Sequence, residues 1–124
     1  GIRDYKVTGV QTCALPISVE AIREVVTELL DEVDSRNQLD PEDIVSVTFT
    51  TTRDLDAVFP AAIARQRLHW ENIPLLDVQQ MEVPGSLERC IRVLIHINTL
   101  KLQREIYHPY LHGAKDLRPD WSNQ

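Results

Sequence analysis

One arginine interrupts an otherwise apolar segment of this chain. The segment CIRVLIHIN, residues 90–98, places Arg92 among branched aliphatic residues. A guanidinium buried there without a partner would cost several kcal/mol. Arg92 therefore needs an anion from the protein, a neighbouring chain or a ligand, unless it faces solvent or forms an internal salt bridge. Arg65, on a predicted helix surface, and Arg118 leave the same alternatives open.

The other side chains with possible chemistry are a tyrosine and three histidines. Tyr110 follows Pro109 and is either a core aromatic or a donor to a ligand. His108 and His112 lie four apart on a predicted strand, too far for both to ligate one ion, and His96 lies elsewhere. We therefore predict no metal. No glycine-rich phosphate loop, Ser-His-Asp signature or CxxC motif is present either.

Composition narrows the class of protein. The 124 residues suffice for one domain, and 43% of them are hydrophobic. A net charge of -6 argues against nucleic acid as a partner, and no apolar run is long enough to cross a membrane. The opening residues lack the apolar core of a signal peptide. Because Cys13 and Cys90 suggest no disulfide framework, and Cys90 is more typical of a core residue, we predict a soluble, cytoplasmic protein.

The spacing of apolar residues predicts two helices and four strands. A helix begins after Ser18 and continues through Val33, PED at 41–43 predicts a short helical turn, and Pro60 begins the second helix. The predicted strands are residues 44–52, 72–79, 90–98 and, at an edge, 106–112. In the first strand, Val45, Val47 and Phe49 are expected to face the core. This order predicts an α+β fold, a mixed sheet with helices on one face.

Three motifs carry a family resemblance. The segments DLDAVFPAAIAR, IPLLDVQQMEVPGSLERCIRVL and YLHGAKDLRPD resemble the monofunctional Bacillus-type chorismate mutases in one register, from about residue 19 to residue 120. The resemblance implies a pseudo α/β barrel assembled as a homotrimer, with active sites between subunits. It also implies an isomerase that converts chorismate to prephenate, in aromatic amino acid biosynthesis, without a cofactor.

The same resemblance assigns four catalytic residues. Arg92, in the family's CIR motif, would stabilise the charge that builds on the breaking ether oxygen of chorismate. Arg65 matches an arginine at the cleft edge, and Tyr110 matches a tyrosine near a substrate carboxylate. Gln80 takes the place of a glutamate that accepts a hydrogen bond from the ring hydroxyl, so this contact would lack charge assistance.

Four further residues are implied to bind the substrate. Phe59 and Leu117 match apolar residues around the ring, and Arg118 adjoins the site. Asp77 stands where a cysteine is common, and would carry the local negative charge that Gln80 lacks.

The opening GIRDYKVTGVQTCALPIS predicts neither an amphipathic helix nor an alternating strand. It resembles a translated sequencing adapter: the adapter's fixed parts correspond to residues 1–4 and 7–17 without a mismatch. We therefore interpret residues 1–17 as an artefactual segment. Residues 18–124 would then be a chorismate mutase domain that lacks its native first strand. Residues 7–10 could still occupy a vacant sheet edge by backbone hydrogen bonding alone.

The family's first strand contains a Gly-Ile-Arg motif whose arginine completes a carboxylate clamp. Gly1, Ile2 and Arg3 reproduce that motif, but counting back from Ile22 without gaps places the family's arginine at Gly9. Whether Arg3 can substitute for it is left open by the sequence. Two alternatives to the enzyme therefore remain: a trimeric small-molecule binding module, favoured if Gln80 and Asp77 prevent turnover, and a truncated inactive fragment.

Overall fold

The computed structural model describes residues 5–13 and 18–112, with the backbone alone for residues 5–7, 9–13 and 112. Single-turn 3-10 helices cover Pro41–Asp43 and Gln103–Glu105. The other elements are β1 (Tyr5–Cys13), α1 (Val19–Asn37), β2 (Ile44–Thr51), α2 (Pro60–Ala64), β3 (Leu75–Gln79), β4 (Ile91–Asn98) and β5 (Tyr110–His112). The strands form one mixed sheet in the order β3-β2-β4-β1-β5, which confirms the α+β prediction.

The first helix has the ends that its sequence specifies. The Ser18 hydroxyl accepts a hydrogen bond from the Ala21 N–H at 3.2 Å, and Glu20 lies in the first turn, where a negative charge suits the helix dipole. Gln38 ends the helix in a left-handed conformation with φ 52°. One face of α1 is buried against the sheet: Ile22, Val25, Val26, Leu29, Leu30 and Val33.

Burial alternates along the two central strands. In β4, Ile91, Val93, Ile95 and Ile97 are buried in the core that α1 covers, and the residues between them are not. In β2, Val47 and Phe49 are buried as predicted, but Val45 is 38% exposed. The prediction for Val45 was wrong because the register shifts between Ile44 and Ser46, a bulge that turns Val45 outward.

The opening segment forms a strand that its sequence pattern does not predict. β1 lies inside the sheet, antiparallel to β4 from Tyr5 opposite Asn98 to Thr12 opposite Ile91, and parallel to β5. β4 pairs with residues 5–12 and β5 with residues 11–13, and these backbone hydrogen bonds form whatever the side chains are. Thr8 is completely buried, and its hydroxyl donates to the Tyr107 carbonyl at 2.8 Å.

A buried amide fixes the approach to β5. Asn37 accepts the Tyr107 N–H at 2.8 Å and donates to the Tyr107 carbonyl at 3.1 Å. It also donates to the Val33 carbonyl at 3.0 Å. The end of α1 therefore holds the chain three residues before Tyr110, the first residue of β5.

Three further expectations change in detail. β3 has five residues and β5 has three residues at the sheet edge, so both are shorter than the predicted strands 72–79 and 106–112. Cys90 is fully buried, as expected of a core cysteine, but it is disulfide-bonded. The expectation of no disulfide was wrong because sheet register, which sequence spacing does not reveal, brings the end of β1 to the start of β4. No helix of the described residues is long and apolar enough to span a membrane.

Candidate active site

Arg92 lies on the sheet face opposite the hydrophobic core. Its chain neighbours Ile91 and Val93 are buried, whereas Arg92 is exposed and pairs across the ladder with Thr50 of β2. Thr50 in turn pairs with Val78 of β3. We call this surface the open face and define it by Thr50, Leu76, Val78, Arg92 and Leu94. No ion pair between described residues involves Arg92, so its guanidinium is available to a ligand.

Two hydrogen-bond acceptors accompany Arg92. Gln80 follows β3, and its N–H donates to the Thr51 carbonyl at 2.8 Å, which extends the ladder by one residue. Because Gln80 lies two residues after Val78, its side chain belongs to the same side of the sheet. The Gln80 Oε1 and Thr50 Oγ1 atoms are both buried without a hydrogen-bond partner. Each has acceptor capacity that no described group uses, so a side-chain rotation that exposes the oxygen would let it accept a hydrogen bond from a ligand hydroxyl.

Tyr110 joins this face through the strand order. It pairs with Gln11 of β1, and Gln11 pairs with Arg92. Two strand spacings, about 10 Å, therefore separate the backbones of Arg92 and Tyr110. Tyr110 is half-buried and packs against Cys90. The structure thus brings three of the predicted catalytic residues, Arg92, Gln80 and Tyr110, to one face.

The other predicted residues lie at the β3 edge, on the core side of the sheet. Asp77 pairs with the buried Phe49, and its carboxylate accepts the Ala61 N–H of α2 at 3.0 Å. Phe59, immediately before α2, is 70% exposed. A cleft of about 520 Å³ is bounded by Phe59 and Asp77. Arg65 follows α2 and is exposed.

The charge of Asp77 is partly balanced by its surroundings. Burial raises the pKa of the Asp77 carboxyl, and the Ala61 N–H and the positive charge of Arg65 oppose that shift. Asp77 therefore joins α2 and Arg65 in one electrostatic unit. This unit is separate from the group around Arg92, because Asp77 and Val78 point to opposite faces of β3.

Within one chain, the predicted site residues therefore form two separate groups. The first consists of Arg92, Gln80 and Tyr110 on the open face, and the second of Phe59, Asp77 and Arg65 at the β3 edge. Leu117 and Arg118 lie outside the described residues. Within the described part of the chain, no cluster of three or more histidine, cysteine, aspartate or glutamate side chains could hold a metal ion.

Three residues of this region were not predicted from the sequence. Thr50 carries one of the unpartnered acceptors, and Thr52 and Asp54 bind the backbone just before β4. The signal in the sequence is a polar run, TTTRD at residues 50–54, which begins at the end of the predicted strand.

Comparison with known proteins identifies the family. The profile of the family described as Chorismate mutase type I matches residues 8–121, almost the whole chain. The chain belongs to the type I chorismate mutase family. The match includes most of β1, which the motif resemblance, beginning near residue 19, did not reach.

Individual chorismate mutases agree with this assignment. Chorismate mutase AroH of Bacillus subtilis (strain 168) is 39% identical over 103 residues, covering 83% of this chain and 81% of that protein. The AroH of Thermus thermophilus is 43% identical over 102 residues, covering 82% and 83%. Among solved structures, a chorismate mutase from Clostridium thermocellum superposes with a TM-score of 0.78 at 40% identity, covering 94% of this chain and 99% of that one.

Proposed function

We propose that this protein is a chorismate mutase that rearranges chorismate to prephenate. The observation that carries the proposal is an exposed guanidinium, Arg92, on an otherwise aliphatic strand, with the unpartnered acceptors of Gln80 and Thr50 on the same face. A cation beside neutral hydrogen-bond acceptors, as the described residues of this face present, suits a pericyclic reaction. Such a reaction needs a held conformation and a matched electric field, and no proton or electron pair from the protein.

Arg92 supplies the electrostatic part of this mechanism. Chorismate is a dianion, and negative charge develops on its ether oxygen as the C–O bond breaks. A fixed guanidinium stabilises that charge more in the transition state than in the ground state, which is the condition for raising kcat. Arg92 extends from a strand paired on both sides, so its backbone cannot move away from the developing charge.

The remaining residues hold the substrate. The Gln80 carbonyl accepts a hydrogen bond from the ring hydroxyl, and Tyr110 and Arg65 bind the carboxylates. Phe59 gives an apolar contact to the ring, as does Leu117, and Arg118 adds positive charge. Asp77 keeps Arg65 oriented.

We propose that the active site forms between subunits of a homotrimer. The two groups of site residues lie on different sides of the β3 edge, so contact between copies can bring Arg92 of one subunit to Arg65 of the next. The open face supports this assembly because Leu76, Val78 and Leu94 are each at least two-fifths exposed. An apolar sheet face of this kind is typical of a subunit interface.

Subunit mixing tests the shared site. Arg92→Ala and Arg65→Ala each remove a different residue of the shared site. When the two variants are refolded together, a site is intact wherever an unsubstituted Arg92 of one subunit meets an unsubstituted Arg65 of the next. In a random equal mixture about a quarter of the sites are intact, and we expect a corresponding recovery of turnover. The assay is the loss of chorismate absorbance, with light scattering to verify the trimer. Activity equal to the mean of the separate variants would show that each site lies within one chain.

Gln80→Leu is expected to lower kcat/KM for chorismate by about tenfold or more. The variant leaves the ring hydroxyl of the bound substrate without an acceptor, which costs the desolvation of that group. Gln80→Glu, which restores charge assistance, should equal or exceed the parent. Gln103→Leu, an exposed position outside the site, is the control. If Gln80→Leu retains the parental kcat/KM, the hydroxyl has another partner, with Thr50, the other unpartnered acceptor on this face, the next candidate.

One assay separates the enzyme from a binding module on the same scaffold, which the departures at Gln80 and Asp77 would favour. Chorismate and purified chain are mixed, and prephenate is measured. We expect prephenate at a rate above that of chorismate alone. Binding of chorismate by a trimer without any conversion would instead establish the binding module.

A further inference from the structure

Two side chains that follow β2 hold the backbone just before β4. Thr52 Oγ1 accepts the Cys90 N–H at 3.0 Å. Both carboxylate oxygens of Asp54 accept the Arg89 N–H, at 3.2 and 3.1 Å. The Thr52 hydroxyl in turn donates to the Asp54 carboxylate. Two consecutive backbone amides are therefore bound by one connected pair of side chains.

Thr52 and Asp54 bind the backbone just beyond the end of the ladder between β2 and β4. The last register pair is Thr51 opposite Ile91. Arg89, two residues before Ile91, has a left-handed φ of 53°, and its N–H donates to Asp54 instead of to a ladder partner. A non-glycine residue keeps such a conformation only where neighbouring contacts offset its strain. The charge-assisted hydrogen bond to Asp54 is such a contact, so Asp54 fixes where β4 begins.

The placement of Arg92 depends on that beginning. Arg92 lies two residues after Cys90, on the same side of the strand, and Cys90 is completely buried. A group that stabilises developing charge must be held within about 0.5 Å of its productive position. We propose that Thr52 and Asp54 are positioning residues for Arg92 in the chorismate rearrangement. This inference rests on the proposed function.

A positioning role differs measurably from a stabilising one. A residue that only stabilises the loop lowers the free energy of unfolding and leaves kcat of the folded protein unchanged. A residue that positions Arg92 lowers kcat with little change in KM, because Arg92 acts mainly in the transition state. Asp54 takes part in no ion pair between described residues, so its described contacts are those that hold this backbone.

The test compares disruptive with conservative variants in the full chain. We expect Asp54→Ala and Thr52→Val each to lower kcat by about tenfold or more, with KM within about threefold. Their effects should not add, because the two side chains act as one unit. Asp54→Asn and Thr52→Ser keep an oxygen acceptor and should stay within about threefold of the parent. Val33→Ala, a cavity variant in α1, should lower Tm and leave kcat unchanged where the protein is folded.

Two results overturn the proposal. The first is a kcat for folded Asp54→Ala within about threefold of the parent. The second result is needed if the parent itself forms no prephenate. The proposed function then fails, and amide hydrogen exchange decides whether Asp54 positions Arg92. Asp54→Ala must then accelerate amide exchange at Arg92 by about tenfold or more relative to Val33→Ala, and equal exchange in both rejects the positioning role.

Discussion

The substitution Gly9→Arg is expected to raise kcat/KM for chorismate by about a hundredfold or more. Gly9 pairs with Leu94 of β4, and Arg92 lies two residues from Leu94, so residue 9 belongs to the same face as Arg92. An arginine there adds a second cation for a dianionic substrate, on a strand whose backbone at residue 9 is paired with β4. One positioned charge partner of this kind accounts for an effect of that size.

The expectation depends on the origin of the first strand. We propose that residues 1–17, which resemble a translated adapter, replace the family's native first strand without its arginine. β1 occupies its place in the sheet through backbone pairing. The expected loss of activity therefore comes from the missing side chain at residue 9 and not from a missing strand. The chain with Gly9 is accordingly expected to have low activity.

Controls separate charge from strand stability. Gly9→Gln removes a glycine from the strand, and this removal by itself stabilises the strand. Because the glutamine adds no charge, this variant should leave kcat/KM close to that of the parent. Arg3→Ala in the parent should also have little effect. High activity in the parent that Arg3→Ala abolishes would contradict the interpretation and make Arg3 the missing arginine.

In the Gly9→Arg chain, Arg92→Ala is expected to lower kcat by about a hundredfold or more. Removing a preorganised donor from a developing oxyanion has effects of this order, and Arg92 is the candidate donor on the open face. Steady-state turnover of chorismate to prephenate gives kcat directly, and circular dichroism establishes that the variant is folded.

Arg36→Ala is the matched control. Arg36 lies on the surface of α1 in an ion pair with Glu32 at 3.0 Å, and exposed pairs of this kind contribute little. Its kcat should therefore match the parent. Arg92→Lys should recover only part of the rate, because an ammonium does not reproduce the planar guanidinium. If kcat for Arg92→Ala stays within about threefold, a barrier change below about 1 kcal/mol, Arg92 is not the main electrostatic catalyst.

The predictable elements are those whose pattern is local. The amphipathic spacing of α1 and the alternation in β4 both reflect burial against a single core, so the sequence predicted them. β1 has no such pattern, because its strand conformation comes from pairing with residues far away in the chain, such as Asn98 opposite Tyr5. The exposure of Val45 depends on a bulge, which is equally a property of the pairing.

The candidate site likewise has features that the sequence predicts and features that depend on the fold. Arg92 could be identified because a cation on an aliphatic strand is anomalous, and the family motifs supplied Gln80 and Tyr110. The separation of these residues from Asp77 follows from strand alternation in the folded sheet, which the motifs do not show. Asp54 was missed because its partner, Arg89, lies 35 residues later in the chain.

The rate of prephenate formation from chorismate, compared between the Gly9→Arg chain and the same chain with Arg92→Ala, is the most direct measurement of the proposed chemistry. If Arg92 stabilises the ether oxygen in a type I chorismate mutase site, the first protein should exceed the second by about a hundredfold or more. Equal rates, or a Gly9→Arg rate no higher than that of chorismate alone, would contradict it.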